Sequence, residues 1–304
     1  MKKITFFVII YVFLLTNLLA QTLLITDKFP SLYISPLIHG IRQTINSDLQ
    51  LIASKDVSEI KKYIYYNSFN NLIITNNFYC TQLNLLSVKY NIVCITFQSN
   101  IHDNITKIII KLNLEKLWNF LQANHTFIDN IYILSEPPYS MTDKCYNLLT
   151  EYRKQLYNKN VEIYYIKTKD ELITILKQLN KKEFGLIIPV MFRLYDNNKK
   201  LNRLSIIRTI IRYNYKHLEL GDNEQLCKYG LSICISPTYY YIGSIIGDIV
   251  NKLEDGDKVS NIIIPECKLL VNDSRLKQLH FLGLLSNIYY IDEIYTTIPK
   301  LDNN

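Results

Sequence analysis

Short apolar runs alternate with stretches of helical period along almost the whole of this 304-residue chain. That alternation predicts parallel strands, because a parallel pair needs a crossover and a covering helix is the usual one. In the first part the predicted strands are Thr22 to Thr26, Leu49 to Ala53, Asn71 to Thr75 and Ile92 to Phe97. Helices are predicted between them at Leu37 to Ile45, Val57 to Tyr66 and Phe78 to Val88. The run Ile108 to Leu112 is ambiguous and is read as the crossover into a second array.

From Leu114 the pattern restarts. Leu114, Leu117, Trp118 and Leu121 share a helix face, and strands follow at Ile131 to Leu134, Val161 to Ile166, Leu186 to Val190 and Leu218 to Leu220. Helices are marked by Cys145 to Leu156, Leu172 to Leu179, Leu204 to Tyr213 and Asn223 to Tyr229. Leu231 to Ile235 is a further strand, predicted to stop at Ser236-Pro237-Thr238 because proline cannot donate to a ladder. Ile242, Ile245, Ile246, Ile249, Val250 and Leu253 then form one apolar helix face, and Cys267 to Val271 returns as a strand. Gly243 and Gly247 form a G-x-x-x-G on that helix. With Asp248, Asn251 and Lys252 alongside, close packing of the helix on its sheet is expected rather than lipid contact.

The last part of this order resembles the C-terminal portion of ABC-transporter substrate-binding proteins of the tryptophan/tyrosine-binding type. The residues that carry the likeness are Tyr239-Tyr240-Tyr241-Ile242-Gly243, Leu253-Glu254-Asp255-Gly256 and Leu269-Leu270-Val271-Asn272. The endings Leu279-His280-Phe281-Leu282 and Ile291-Asp292-Glu293-Ile294 are similar too. Thr238, where relatives commonly carry an acidic residue, departs from the pattern, as does the glycine-free stretch Gln98 to Ile105. The resemblance implies an α/β, two-lobed type I periplasmic-binding-protein-like fold, each lobe a parallel sheet flanked by helices. Lobe 1 would be 21–111 with 238–262, and lobe 2 would be 112–237 with 263–304. A single large doubly wound sheet is the competing arrangement, which periodicity leaves open.

Met1-Lys2-Lys3 followed by the apolar run Ile4 to Leu19 and the small-residue step at Ala20 has the architecture of a secretory signal. Residues 1–20 are therefore expected to be a signal peptide, with an uncleaved membrane anchor as the alternative. No cysteine stands at the cleavage point, so a lipoprotein anchor is not supported. The expected location is periplasmic or otherwise extracytoplasmic, or tethered to the membrane if the run is kept.

The formal net charge of +7 is spread along the chain, and acidic residues lie near Lys181-Lys182 and Lys199-Lys200. A nucleic-acid protein would concentrate its charge in a stripe, so no nucleic-acid partner is expected. No G-x-S-x-G elbow, P-loop or G-x-G-x-x-G occurs, and His39, His102, His125, His217 and His280 lack ligand spacing. The chain is thus expected to be neither an enzyme nor a metal or cofactor carrier. Six cysteines without a framework spacing leave disulfide pairing open; Cys94 and Cys234, inside apolar strands, are read as core thiols.

Ligands of open parallel sheets sit beyond the carboxyl ends of the strands. The candidate contacts are therefore Asp27, Lys28, Phe29, Thr75, Asn76, Gln98 and Ser99 in the first lobe. In the second they are Ser135, Glu136, Pro189, Met191, Asp222, Ser236 and Tyr239. Each suits helix capping as well as ligand contact. A zwitterionic ligand would use Glu136, Asp222 or Asp27 for its ammonium, Lys28 or a helix N-terminus for its carboxylate, and Phe29 or Tyr239 as an aromatic wall. The resemblance implies a monomer that captures a small molecule, an amino acid included, for an ABC permease in the inner membrane. A membrane receptor as partner, or a divergent chain that no longer binds, are the rivals.

Overall fold

The computed structural model describes residues 21–26, 34–75, 77–96, 105–110, 113–141, 143–197, 199–264, 267–280 and 291–295. The chain forms two compact units, Met1–Lys111 with Thr238–Pro265 and Leu112–Pro237 with Glu266–Asn304.

The strands of the first unit are β1 (Gln21–Thr26), β2 (Asp48–Ala53), β3 (Asn71–Ile74), β4 (Asn91–Thr96) and β5 (Thr106–Ile110), and helices join the first four. The ambiguous run is thus mostly strand β5, whose residues are all buried. These helices are α1 (Ile34–Thr44), α2 (Val57–Tyr66) and α3 (Asn77–Leu83), the last continued as a 3-10 turn over Asn84–Val88. The sheet order is β2-β1-β3-β4-β5, every pair parallel. The edge beyond β5 holds residues 262–264, which pair with Ile108 to Ile110. Ile263 and Ile264, assigned to the second lobe from the sequence, therefore belong to the first, because ladder hydrogen bonds hold them there.

Helix α1 covers one face of this sheet together with a second helix from the returning segment, Tyr239–Glu254. The G-x-x-x-G glycines face α1 rather than the sheet. A Cβ on Gly243 would stand 2.2 Å from the Leu37 carbonyl oxygen, and one on Gly40 would stand 2.1 Å from that of Tyr240. Backbone meets backbone there, a packing distance that only glycine allows. The other face is covered by α2 and α3, where Ile60, Ile64, Tyr79 and Leu83 pack on Leu23, Leu72 and Ile92. Cys80 of α3 and Cys94 of β4 form a disulfide with Cα atoms 6.1 Å apart. Cys94, read as a thiol from its apolar strand, is corrected accordingly, since the helix carries a second cysteine onto that strand.

The second unit repeats the order with α4 (Glu115–Ala123), β6 (Asn130–Ser135), α5 (Asp143–Gln155), β7 (Asn160–Tyr165), α6 (Lys169–Leu179) and β8 (Gly185–Pro189). A hairpin, β9 (Leu194–Asp196) and β10 (Lys199–Leu201), precedes α7 (Arg203–Tyr213), β11 (Leu218–Gly221), α8 (Glu224–Lys228) and β12 (Ile233–Pro237). The returning helix is α9 (Tyr239–Glu254), the added strand of the first unit is β13 (Ile262–Ile264), and β14 (Cys267–Asn272), α10 (Asp273–Gln278) and β15 (Glu293–Tyr295) follow.

The sheet order is β15-β14-β12-β11-β8-β6-β7. Its core strands are parallel, but β14 runs antiparallel to β12. The parallel sheet expected here is borne out, with β14 added antiparallel beside β12 after the chain returns through α9 and β13. β12 also runs through Pro237, paired with Cys267, two residues past the predicted end at Ile235. The missing N–H is tolerated because this is the strand's last residue.

At the amino ends of these strands a buried network ties three elements together. Glu219 of β11 accepts from both Nε and Nη2 of Arg275 of α10, and Arg275 Nη2 also donates to the Asn214 carbonyl at 2.7 Å. Both partners of the pair are nearly inaccessible. His217 sits alongside, its Nε2 2.8 Å from the Leu179 carbonyl. That geometry makes Nε2 the protonated nitrogen and leaves Nδ1 buried without a hydrogen-bond partner among the described residues.

Candidate functional site

The strand order places a topological switch in each unit, between β1 and β3 in the first and between β6 and β8 in the second, where connections leave toward opposite faces. In the first unit, Thr75 follows β3 at that point. Its N–H and its Oγ1 both donate to the Ile25 carbonyl at 3.2 Å, so its hydroxyl closes the β1–β3 junction. Asp27, Lys28, Phe29, Asn76, Gln98 and Ser99 lie outside the described residues. Tyr239 opens α9 and packs, half-buried, on the first unit's core; its placement in the second lobe is corrected, because the chain has crossed over by Thr238.

In the second unit the switch is built from four strand exits. β6 ends in Ser135, after which Glu136 turns inward and Pro137-Pro138 prevent the strand from continuing. Glu136 is 1% exposed, and its Oε1 accepts the Phe192 backbone N–H at 2.7 Å just beyond β8. That bond pins the two exits flanking the switch. Asp222 follows β11, and its Oδ1 accepts both Arg203 Nη2 at 2.5 Å and Asn223 Nδ2 at 3.0 Å. The Arg203 guanidinium lies over the Phe192 ring, 4.3 Å from its centroid. Arg203 Nε is buried with no hydrogen-bond partner among the described residues, a donor that a water or ligand oxygen would satisfy.

Beneath this layer, Ser135 Oγ lies 3.5 Å from Cys145 Sγ. Burial pushes the Cys145 thiol up, against the lowering effect of the Ser135 contact, so it is held neutral. Tyr152 of α5 is fully buried; desolvation, with Asp222 adding to it, pushes its hydroxyl well above the usual range. Pro189 and Met191 are buried as parts of the β8 exit, and Ser236 bonds the Pro237 carbonyl within β12.

The structure thus brings Ser135, Glu136 and Asp222 together. It also changes their reading, since both carboxylates already hold protein donors instead of standing open for an ammonium. Arg203 and Phe192 were missed. The β9–β10 hairpin turns the chain back after Phe192, and Asn202 caps α7 by accepting the Ser205 N–H at 2.8 Å, which sets Arg203 at the helix start. The signal was present as Asp196-Asn197-Asn198 between Leu194 and Leu201, a turn flanked by apolar residues, with Asn197 at φ 47.

Comparison with solved structures decides the architecture. A ligand-free, open substrate-binding protein with adhesive properties from Clostridium difficile superposes with a TM-score of 0.69 at 12% identity, covering 92% of this chain and 100% of that one. The chain has the two-lobed periplasmic-binding-protein-like fold. An ABC domain in complex with L-Trp from Streptococcus pneumoniae matches with a TM-score of 0.63 at 12% identity, covering 90% and 99% of the two chains. A LacI family transcriptional regulator from Bifidobacterium animalis subsp. lactis matches at 0.56 and 14%, covering 82% and 95%. No protein-family model matches the sequence, and no curated protein does. One fold shared by carriers and a regulator leaves function to the site.

Proposed function

We propose that this chain is an exported, non-enzymatic solute-binding protein that captures a small ligand and hands it to an ABC permease. The observation that carries the reading is the Glu136–Phe192–Arg203–Asp222 cluster at the second unit's switch point. Arg203 offers a charged face and an unfilled donor, which suits an acceptor oxygen such as a carboxylate, and Phe192 offers an apolar wall. An amino acid is the ligand class these groups fit, in keeping with the L-Trp complex among the similar structures. A ligand that favours one conformational state over another would signal occupancy to the permease. The Ile4 to Leu19 run and the Cys80–Cys94 disulfide both fit a chain working outside the cytoplasm.

A second reading, a divergent chain that keeps the fold as an interaction protein, is favoured by the internal bonding of Glu136 and Asp222. Thermal-shift screening against amino acids and monosaccharides separates the two. A ligand at a hundred times its Kd raises stability by about 2.7 kcal/mol. The binding reading expects such a shift with at least one amino acid and its loss in Arg203→Ala; silence across the whole panel supports the second reading.

A further inference from the structure

The second unit carries a cavity at the end of its sheet opposite the switch. It lies between two connections, one leading from α4 into β6 and the other from α5 into β7. The Asn160 N–H joins them by donating to the Asp129 carbonyl at 2.9 Å. The solute cluster stands instead beyond the carboxyl ends of the strands, after Ser135 and Pro189. The cavity's volume is about 480 Å³, within the range that takes a small organic molecule.

Its lining is largely apolar and carries one charge. Leu121 and Ile128 are 2% and 3% exposed, while Phe127 and Tyr157 are 76% and 84% exposed, so the wall passes from buried aliphatic to exposed aromatic side chains. Lys159 is the ionised group of the lining, and no Asp or Glu lines the cavity among the described residues.

That lysine is fixed in place yet only partly used. Its Nζ sits 5.3 Å from the centroid of the Trp118 ring and donates to Asp129 Oδ1 at 3.1 Å. The Asp129 side chain is 83% exposed against 28% for Lys159, so the carboxylate stands in water while the ammonium belongs to the cavity wall. An ion pair with one partner so exposed is worth little. An ammonium has three donors and Asp129 takes one, which leaves two without a protein acceptor among the described residues. Gln155, also in the lining, is engaged, accepting the Leu114 N–H and donating to Glu151 Oε1.

We propose that this cavity is a second binding site, for a monocarboxylic acid with an apolar body. Its carboxylate takes the spare Lys159 donors, and its body lies against Leu121, Ile128 and the aromatic side chains. A charge-assisted bond of this kind is roughly twice as strong as a neutral one. A neutral ligand would leave those donors unused, and a cationic one would meet like charge. The site depends neither on the solute cluster nor on the export reading.

Trp118 is the chain's only tryptophan, so indole emission reports on this cavity directly. The test titrates the full-length protein with sodium octanoate, which carries no chromophore of its own, and repeats the titration by calorimetry. A saturable emission change is expected, tightening from butanoate through hexanoate to octanoate by up to about fourfold per methylene. 1-Octanol and octylammonium should bind about tenfold more weakly, and Lys159→Gln should lose about tenfold for octanoate while leaving 1-octanol unchanged. Phe127→Ser with Tyr157→Ser, both at exposed positions, should weaken the whole series. Neither an emission change nor heat with octanoate overturns the proposal. Equal affinity for acid and alcohol overturns it as well. Octanoate binding that vanishes in Arg203→Ala but survives Lys159→Gln places the acid in the solute cluster and also overturns it. Failure of amino acids to bind leaves this result untouched, so the two readings fail separately.

Discussion

Arg203 and Asp222 are joined Nη2 to Oδ1 at 2.5 Å, with the guanidinium face covering Phe192. The Asp222 side chain is 8% exposed, so its charge has little water to fall back on. Arg203→Met should lower unfolding free energy by about 2–3 kcal/mol, most of it from the carboxylate left unpaired. Arg203→Met with Asp222→Leu should recover part of that loss. A double-mutant cycle read from urea melts checks the coupling, and additive single effects would mean the pair contributes nothing.

His217 should make the protein sensitive to mild acid. Burial holds its imidazole below the usual 6.5, outweighing the bond to the Leu179 carbonyl; Lys216 lowers it further and Glu219 raises it. In this window the unfolded chain binds the proton and the folded one does not, so stability is full above about pH 6.5 and falls as pH drops toward the folded value. The loss should approach about 1.4 kcal/mol per pH unit. His217→Phe, less stable at neutral pH, should show a flatter profile over the same range.

Gly243→Ala should disrupt the first unit although α9 stays helical. The added Cβ meets the Leu37 carbonyl and the Ile41 nitrogen, both backbone, so the helices must part. Overpacking of this kind costs about 1–3 kcal/mol. Ser244→Ala, one position along on a half-buried site, should change the melting temperature little. Equal effects of the two would show that the close helix contact is absent.

Thiol titration checks the disulfide. Denatured, unreduced protein should show the four free cysteines Cys145, Cys227, Cys234 and Cys267, and two more after reduction. The bridge spans a sequence separation of 14, so Cys80→Ser should cost about 3 kcal/mol on loop entropy. Six thiols without reductant would remove both the bridge and the support it lends to export.

Much of the fold was legible because its signals are local. Thr168 and Glu171, which form a capping box, and the 3.6-residue spacing from Leu172 to Leu179 define α6 without reference to any other part of the chain. Leu72 to Ile74, an unbroken apolar run after a polar turn, declares a buried strand in the same way. The exits Ser135, Glu136 and Asp222 followed from those strands by a general rule about parallel sheets. Their partners did not. Phe192 bonds Glu136 across 56 residues of sequence and Arg203 bonds Asp222 across 19, distances over which no periodicity speaks.

By itself, then, the sequence determined most of the helices and the core strands, though not the β9–β10 hairpin, β13 or β15, since turn chemistry and apolar spacing act within a few residues. Tertiary structure alone decided that β14 runs antiparallel, that Cys94 meets Cys80, that β13 joins the first unit and that both site carboxylates are already engaged. Those outcomes depend on which buried donors find acceptors once loops of tens of residues have closed, and chain closure is set by the packing of the whole unit.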